Sequence, residues 1–168
     1  GNQFTQKRKA ARAKALEIAA VMTGKEYSDD TALVITSGRY EFRNKGIDLF
    51  IKALGKINAE NKKGKDVVAF ITIPSAHRGP ANAFRGKEKL NNYTTHKLQN
   101  AESDLILNEI RMQGLNNTPE DKVTIVFVPA YLNEHDGVIN LAYYDFLIGF
   151  DLSVFPSYYE PWGYTPLE

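Results

Sequence analysis

Short, nearly unbroken apolar runs alternate along the chain with stretches whose apolar positions recur at helical spacing. The runs are residues 32–36 (ALVIT), 66–73 (DVVAFITI), 123–129 (VTIVFVP) and 152–155 (LSVF). Continuous rather than alternating hydrophobicity is the mark of strands covered on both faces, as in a parallel sheet. Pro74, Pro129 and Pro156 stand at or just beyond the ends of the later three, where a residue without an N–H stops a ladder. Residues 152–155 therefore read as a fourth buried strand. Between the runs, residues 3–23 carry Leu16, Ile18, Ala19, Ala20 and Met22 after a basic start, and Gly24 follows as a plausible C-terminal cap. Ile47, Phe50, Ile51 and Leu54 share one helical face. Leu105, Ile106, Leu107 and Ile110 do the same within a helix expected over residues 100–113, with Gly114 just past its end. Residues 141–150 fit a short helix packed on the sheet. Residues 75–92, rich in Gly, Lys, Asn and Arg and without a steady period, read as a loop.

The order β, α, β, α, β, α, β predicts an α/β fold in which a parallel Rossmann-like sheet is flanked by helices and the carboxyl ends of its strands lie along one edge. Residues 1–24 form a leading helix, and residues 31–168 form a single core. Composition changes this picture little: 168 residues, 43% hydrophobic and 24% charged, suffice for one domain with a sizeable core. A net charge of +1 favours neither nucleic acid nor an anionic membrane as a bulk partner. The absence of cysteine excludes disulfides and thiolate metal sites and agrees with a cytoplasmic location. No stretch approaches the roughly 20 apolar residues of a membrane span. Lys7, Arg8, Lys9, Arg12 and Lys14 raise the question of a nucleic-acid contact, but no aromatic platform is interleaved, and they read as a solvated helix face.

Candidate chemistry concentrates in two loops, each following a strand. The first, GRYEFRNKG, holds Arg39, Arg43 and Lys45. Arginine grips phosphate oxygens as a fork and lysine as a point charge, so the loop suits a diphosphate as readily as it suits a solvated turn. The second is residues 156–168, PSYYEPWGYTPLE. Here aromatic and acidic groups suited to sugars lie beside Gly163, which permits close backbone approach, and a Thr165-Pro166 pair that reads as a helix start. Other clusters are weaker. His77 and Arg78 sit just beyond a strand end, although a lone histidine there is more often a surface residue. Glu134, His135 and Asp136 look like a metal cluster, but adjacent residues cannot all face one ion and the spacing of a metal site is missing. Tyr143 and Tyr144 read either both as core residues or as one core residue and one ligand contact, with Tyr144 the better core candidate.

Glu160 and Glu168 have the E-x7-E spacing of retaining nucleotide-sugar glycosyltransferases, and embedded in SYYEPWGYTPLE they resemble the donor-site loop of the glycogen synthase family, the animal and fungal type that also occurs in some bacteria. GRYEFRNKG resembles that family's phosphate-binding loop, and residues 95–115, THKLQNAESDLILNEIRMQGL, are again similar. The resemblance covers nearly the whole chain and implies part of the C-terminal lobe of a two-lobe (GT-B) enzyme, with residues 1–24 near the connection between lobes.

It also implies a set of roles. Arg39 and Lys45 would stabilise the departing nucleoside diphosphate together with Thr165, in place of a metal, and no cofactor is expected. Glu160, with the backbone around Trp162, Gly163 and Tyr164, would hold glucose, Glu168 would bind the ribose hydroxyls, and Tyr143 would stack on the base. The donor so implied is UDP-glucose and the acceptor an α-glucan, with the N-terminal lobe as a partner in cis and the oligomeric state of a full-length protein open. Eukaryotic members carry a long assembly insertion near residues 75–92, which is short here. Read as an excised piece, the chain is expected to lack synthase activity alone, and the helix starting at Thr165 to lack its later turns. A non-catalytic nucleotide-sugar or glucan-binding module is the alternative.

Overall fold

A computed structural model describes residues 1–38, 45–86 and 93–154, with Lys45 described in its backbone only. The strands are β1 (Ala32–Ser37), β2 (Val67–Thr72), β3 (His77–Pro80), β4 (His96–Leu98), β5 (Val123–Val128) and β6 (Leu152–Val154). The helices are α1 (Asn2–Thr23), α2 (Lys45–Glu60), α3 (Leu105–Met112) and α4 (Tyr143–Leu147). Four strands form one sheet in the order β5-β2-β1-β6, every pair parallel, with Ile35 opposite Phe70 and Phe70 opposite Val126. The expected α/β fold with a Rossmann-like parallel sheet is what the chain forms.

Side-chain alternation splits the core in two. Leu33, Ile35, Val68, Phe70, Val126 and Val128 face α1 and α4, while Ala69, Ile71, Ile125 and Phe127 face α2 and α3. All ten are buried, which is why these strands read as continuous apolar runs. Full burial of each large side chain contributes on the order of 2 kcal/mol. On the first face Phe70, Phe146 and Phe150 meet edge to face with centroids 5.1–5.4 Å apart.

Helix α1 turns Ala11, Ala15, Ile18, Ala19 and Met22 inward and closes at Gly24, whose left-handed conformation (φ 78°) lets its N–H reach Ala20 O at 2.7 Å. The small alanines allow close approach. A Cβ placed on Gly149 would lie 2.7 Å from Ala11 Cβ and 2.9 Å from Arg12 N, so that position leaves no room for a side chain.

The basic side of α1 is not simply solvated. Arg8 donates to Ile148 O (2.7 Å) and Phe150 O (3.2 Å). Arg12 donates to Gly149 O (3.0 Å) and Thr31 O (2.8 Å), and both arginines reach Asp151. Asp151 in turn accepts from Leu33 N at 2.8 Å, and its own N–H donates to Leu33 O at 2.8 Å, so one carboxylate joins α1 to the start of β6 and to β1. Arginine side chains find carbonyls left exposed at a helix end because their fork presents several donors at once.

Other expectations need correction. Residues 75–92 are not all loop, since β3 pairs antiparallel with β4 and a 3-10 turn, Asn82–Arg85, follows β3. Beside them Tyr93 O accepts from Phe127 N (2.7 Å), Thr95 N donates to Phe127 O (3.0 Å) and Thr94 bridges Phe127, so residues 93–95 cover the outer side of β5. Helix α3 begins five residues later than expected, because Asp104 takes an extended conformation and caps it by accepting from Leu107 N at 2.8 Å. Leu105 consequently lies on its exposed side. The run 152–155 is not a buried strand over the residues described: Leu152 is 55% exposed because, among the described residues, β6 stands at the edge of the sheet.

Candidate functional site

Parallel strands bring Ser37, Thr72, Val128 and Val154 to one edge, and the expected ligand loops leave from it. The pairing of Thr36 with Val154 sets the ends of β1 and β6 side by side. In open parallel sheets this carboxyl edge, at the point where the strand order reverses, is where ligands sit. The reversal falls at β1, which β2 follows on one side and β6 joins on the other.

Of the expected site residues, Tyr143 is the one whose side chain is described. It is half-buried at the start of α4, and its hydroxyl donates to Ser37 Oγ at 3.1 Å. Tyr144 packs edge-on against it, with ring centroids 5.3 Å apart, but is itself 75% exposed. The reading of Tyr144 as core is therefore wrong. Phe146 takes the inward position of this five-residue helix, and a residue two places before it points away around the helix axis, whereas Tyr143, three places before, shares its side. Arg39, Glu160, Trp162, Gly163, Tyr164, Thr165 and Glu168 lie outside the described residues, as do Arg43 and the side chain of Lys45.

The same edge continues into a cleft of about 450 Å³ at the ends of β2 and β5, lined by Pro74, Ser75, His77, Gln99, Pro129 and Tyr131. His77 is half-buried, and its Nδ1 accepts from Gly79 N at 3.0 Å. Its ring meets that of His96 at 4.8 Å. His96, which sequence reasoning did not single out, is fully buried: Nε2 donates to Asp136 O at 2.7 Å, leaving Nδ1 to accept from Thr95 Oγ1 at 2.8 Å. Burial holds its pKa below the ordinary 6.5, against the opposing pull of the Asp136 carbonyl. Arg78 points to solvent.

Glu134 and His135 are exposed, and Asp136 is occupied by its own loop, its Oδ1 accepting from Val138 N (2.9 Å) and Ile139 N (2.7 Å). Among the described residues no three His, Asp or Glu side chains gather as an ion would require. No helix among them is long and apolar enough to cross a membrane.

A family model described as glycogen synthase matches residues 25–88 and 83–168. The chain belongs to the glycogen synthase family. It is 32% identical to glycogen [starch] synthase isoform 2 of Saccharomyces cerevisiae and 34% identical to the glycogen [starch] synthase of Caenorhabditis elegans, in each case over 83% of this chain and 30% of the relative. The liver glycogen [starch] synthase of Mus musculus is 28% identical over 83% of this chain. The chain thus spans about a third of the length of the curated relatives it matches. Against the yeast protein 83% of the chain is spread over 208 aligned positions, so that glycogen synthase carries segments with no counterpart here. The two stretches of the family match meet at residues 83–88, which puts the joint between β3 and β4, within the region expected to be shortened.

Proposed function

We propose that the chain is the nucleotide-sugar-binding part of a retaining glycosyltransferase that moves glucose from UDP-glucose to the 4-hydroxyl of a growing α-1,4-glucan. The observation that carries this reading is the parallel pairing of β1 with β6. The loop with Arg39, which leads to Lys45 at the start of α2, and the loop with Glu160 leave neighbouring strand ends on one edge, so phosphate cations and a sugar-facing carboxylate can serve one ligand. A separate lobe, in cis, supplies the acceptor side of the cleft.

In the reaction, the bond between the anomeric carbon and the phosphate oxygen breaks, and its electron pair leaves with the nucleoside diphosphate. Arg39 and Lys45 neutralise that charge, helped by the N–H groups and hydroxyl of Thr165 at a helix start. Glu160, with the backbone of Trp162, Gly163 and Tyr164, holds the glucose hydroxyls and stabilises the positive charge that develops on the ring. Glu168 binds the ribose hydroxyls, and Tyr143 stacks on the base. The 4-hydroxyl attacks from the face the phosphate leaves, the new C–O bond forms there, and its proton passes to the departing phosphate oxygen, so configuration is retained. The cations take the role that a metal plays in many such enzymes. Nucleic acid is not among the partners proposed: Arg8 and Arg12 are engaged within the fold, while Lys7 and Lys14 lie 3.9 Å from Asp145 and Glu17.

Calorimetry on the full-length enzyme is expected to show UDP binding more tightly than ADP, with Arg39→Ala or Lys45→Ala weakening it at least tenfold. Glu160→Gln is expected to abolish glucosyl transfer while UDP still binds. Equal affinity for the two nucleotides, or UDP binding indifferent to both cations, would sink the proposal. The 168 residues alone are expected to transfer no glucose to glycogen.

A further inference from the structure

Three hydroxyls run in a directed line through the carboxyl edge of the sheet. The carbonyl of Thr36 can only accept, so the contact at 3.2 Å from Thr72 Oγ1 fixes Thr72 as its donor. Thr72 then has a lone pair but no proton for its neighbour, which makes Ser37 Oγ the donor in the Ser37–Thr72 contact. Ser37, its own proton spent, accepts from the Tyr143 hydroxyl at 3.1 Å. The order is Tyr143 to Ser37 to Thr72 to the backbone of β1, each hydroxyl donating once, and such chains strengthen each member in turn. Thr72 is 5% exposed and Ser37 half-buried, so water competes poorly at the inner end. Their positions also matter: Ser37 and Thr72 are the last residues of two adjacent strands and stand opposite one another in register. Tyr143 opens a helix of five residues, a length that is marginal without packing.

We propose that Ser37 and Thr72 are positioning residues for donor binding: their hydroxyls lock the Tyr143 ring at the strand crossover in the orientation that receives the nucleoside base. This rests on the reading of Tyr143 as the base contact. The line of hydroxyls aligns a group that touches the donor and takes no part in bond making, so its loss shows in recognition of the nucleotide and not in the chemical step.

The test uses the full-length enzyme and three variants, Tyr143→Ala, Tyr143→Phe and Ser37→Ala, with the double variant Ser37→Ala/Tyr143→Phe and the conservative Ser37→Thr. Loss of one such hydrogen bond is expected to raise the donor KM and the UDP Kd about three- to tenfold, with kcat within twofold of the parent. Because both single changes remove the same contact, the double variant is expected to be no worse than the weaker single, and Ser37→Thr to restore most of the affinity. Tyr143→Ala should weaken UDP by more than either single change. If Tyr143→Ala leaves UDP binding unaltered, the base contact itself is wrong and the proposal falls with it. If Tyr143→Ala weakens binding while Ser37→Ala does not, or if the effects of Ser37→Ala and Tyr143→Phe multiply, the base contact stands and the positioning role is overturned. A kcat that drops with KM unchanged also overturns it. Thermal unfolding of each variant separates these outcomes from a general loss of fold, since destabilisation lowers active enzyme without changing the UDP Kd of the folded fraction.

Discussion

Replacing Arg12 by alanine tests whether α1 is fastened to the sheet by its guanidinium or merely leans on it. The side chain is 17% exposed and donates to the carbonyls of Gly149 and Thr31, at 3.0 and 2.8 Å, and to Asp151, at 3.1 Å. Two part-buried carbonyls left without a donor cost about 1 kcal/mol each. The ion pair with Asp151 adds about 0.5 kcal/mol once its exposure is discounted, because that carboxylate is 42% exposed and solvent screens it. The expected loss is therefore about 2.5 kcal/mol, read as a lower midpoint in urea unfolding with the slope unchanged. Arg12→Lys keeps the charge but not the fork, and should recover less than half of the loss. Asp151→Asn should cost less than Arg12→Ala, because the amide oxygen can still accept from Leu33 N. Raising the salt concentration should change the Arg12→Ala loss little, since most of it comes from carbonyls. A loss below about 0.5 kcal/mol, the range of ordinary surface substitutions, would refute the reasoning, as would full recovery with lysine.

Gly149→Ala is expected to lower stability by about 1–3 kcal/mol through overpacking against Ala11, and Ala11→Gly in the same chain to return part of it; additive losses would contradict the contact. His96, held neutral by burial, contributes stability that is complete above its ordinary pKa of 6.5 and is lost as pH falls below it, because the unfolded chain takes up the proton first. Unfolding measured between pH 7.5 and 5 should show that decline, and His96→Gln should flatten it. Tyr144→Ala, at an exposed position, should change stability by less than about 0.5 kcal/mol, and a core-sized loss would restore the inward reading rejected above.

Most of the sheet was legible because β1, β2 and β5 are covered on both sides, so their apolar runs survive without any knowledge of what packs on them. Helix α1 and its cap at Gly24 were legible for a similar local reason. The hairpin of β3 and β4 was not: its strands hold four and three residues, with Gly79 and Pro80 inside one of them, and their partners are separated by sequence that carries no period. Arg8 and Arg12 were misread because their partners lie some 140 residues away, and nothing local distinguishes a solvated arginine from one that finds a distant carbonyl. At the candidate site, Tyr143 was picked out by family resemblance. The hydroxyls of Ser37 and Thr72 carry no sequence signal, since a serine and a threonine at strand ends acquire meaning only from the register that sets them opposite each other.

The strip of residues 93–95 along β5 has a consequence for where added chain could be tolerated. An unprotected flank would tempt a second chain to extend the ladder, and here Tyr93 and Thr95 already occupy the backbone groups of Phe127. The two stretches of the family match meet at residues 83–88, upstream of that strip in the sequence. Residues added between β3 and that strip would carry a closure cost that grows only with the logarithm of their number, while the guard on the sheet stays in place.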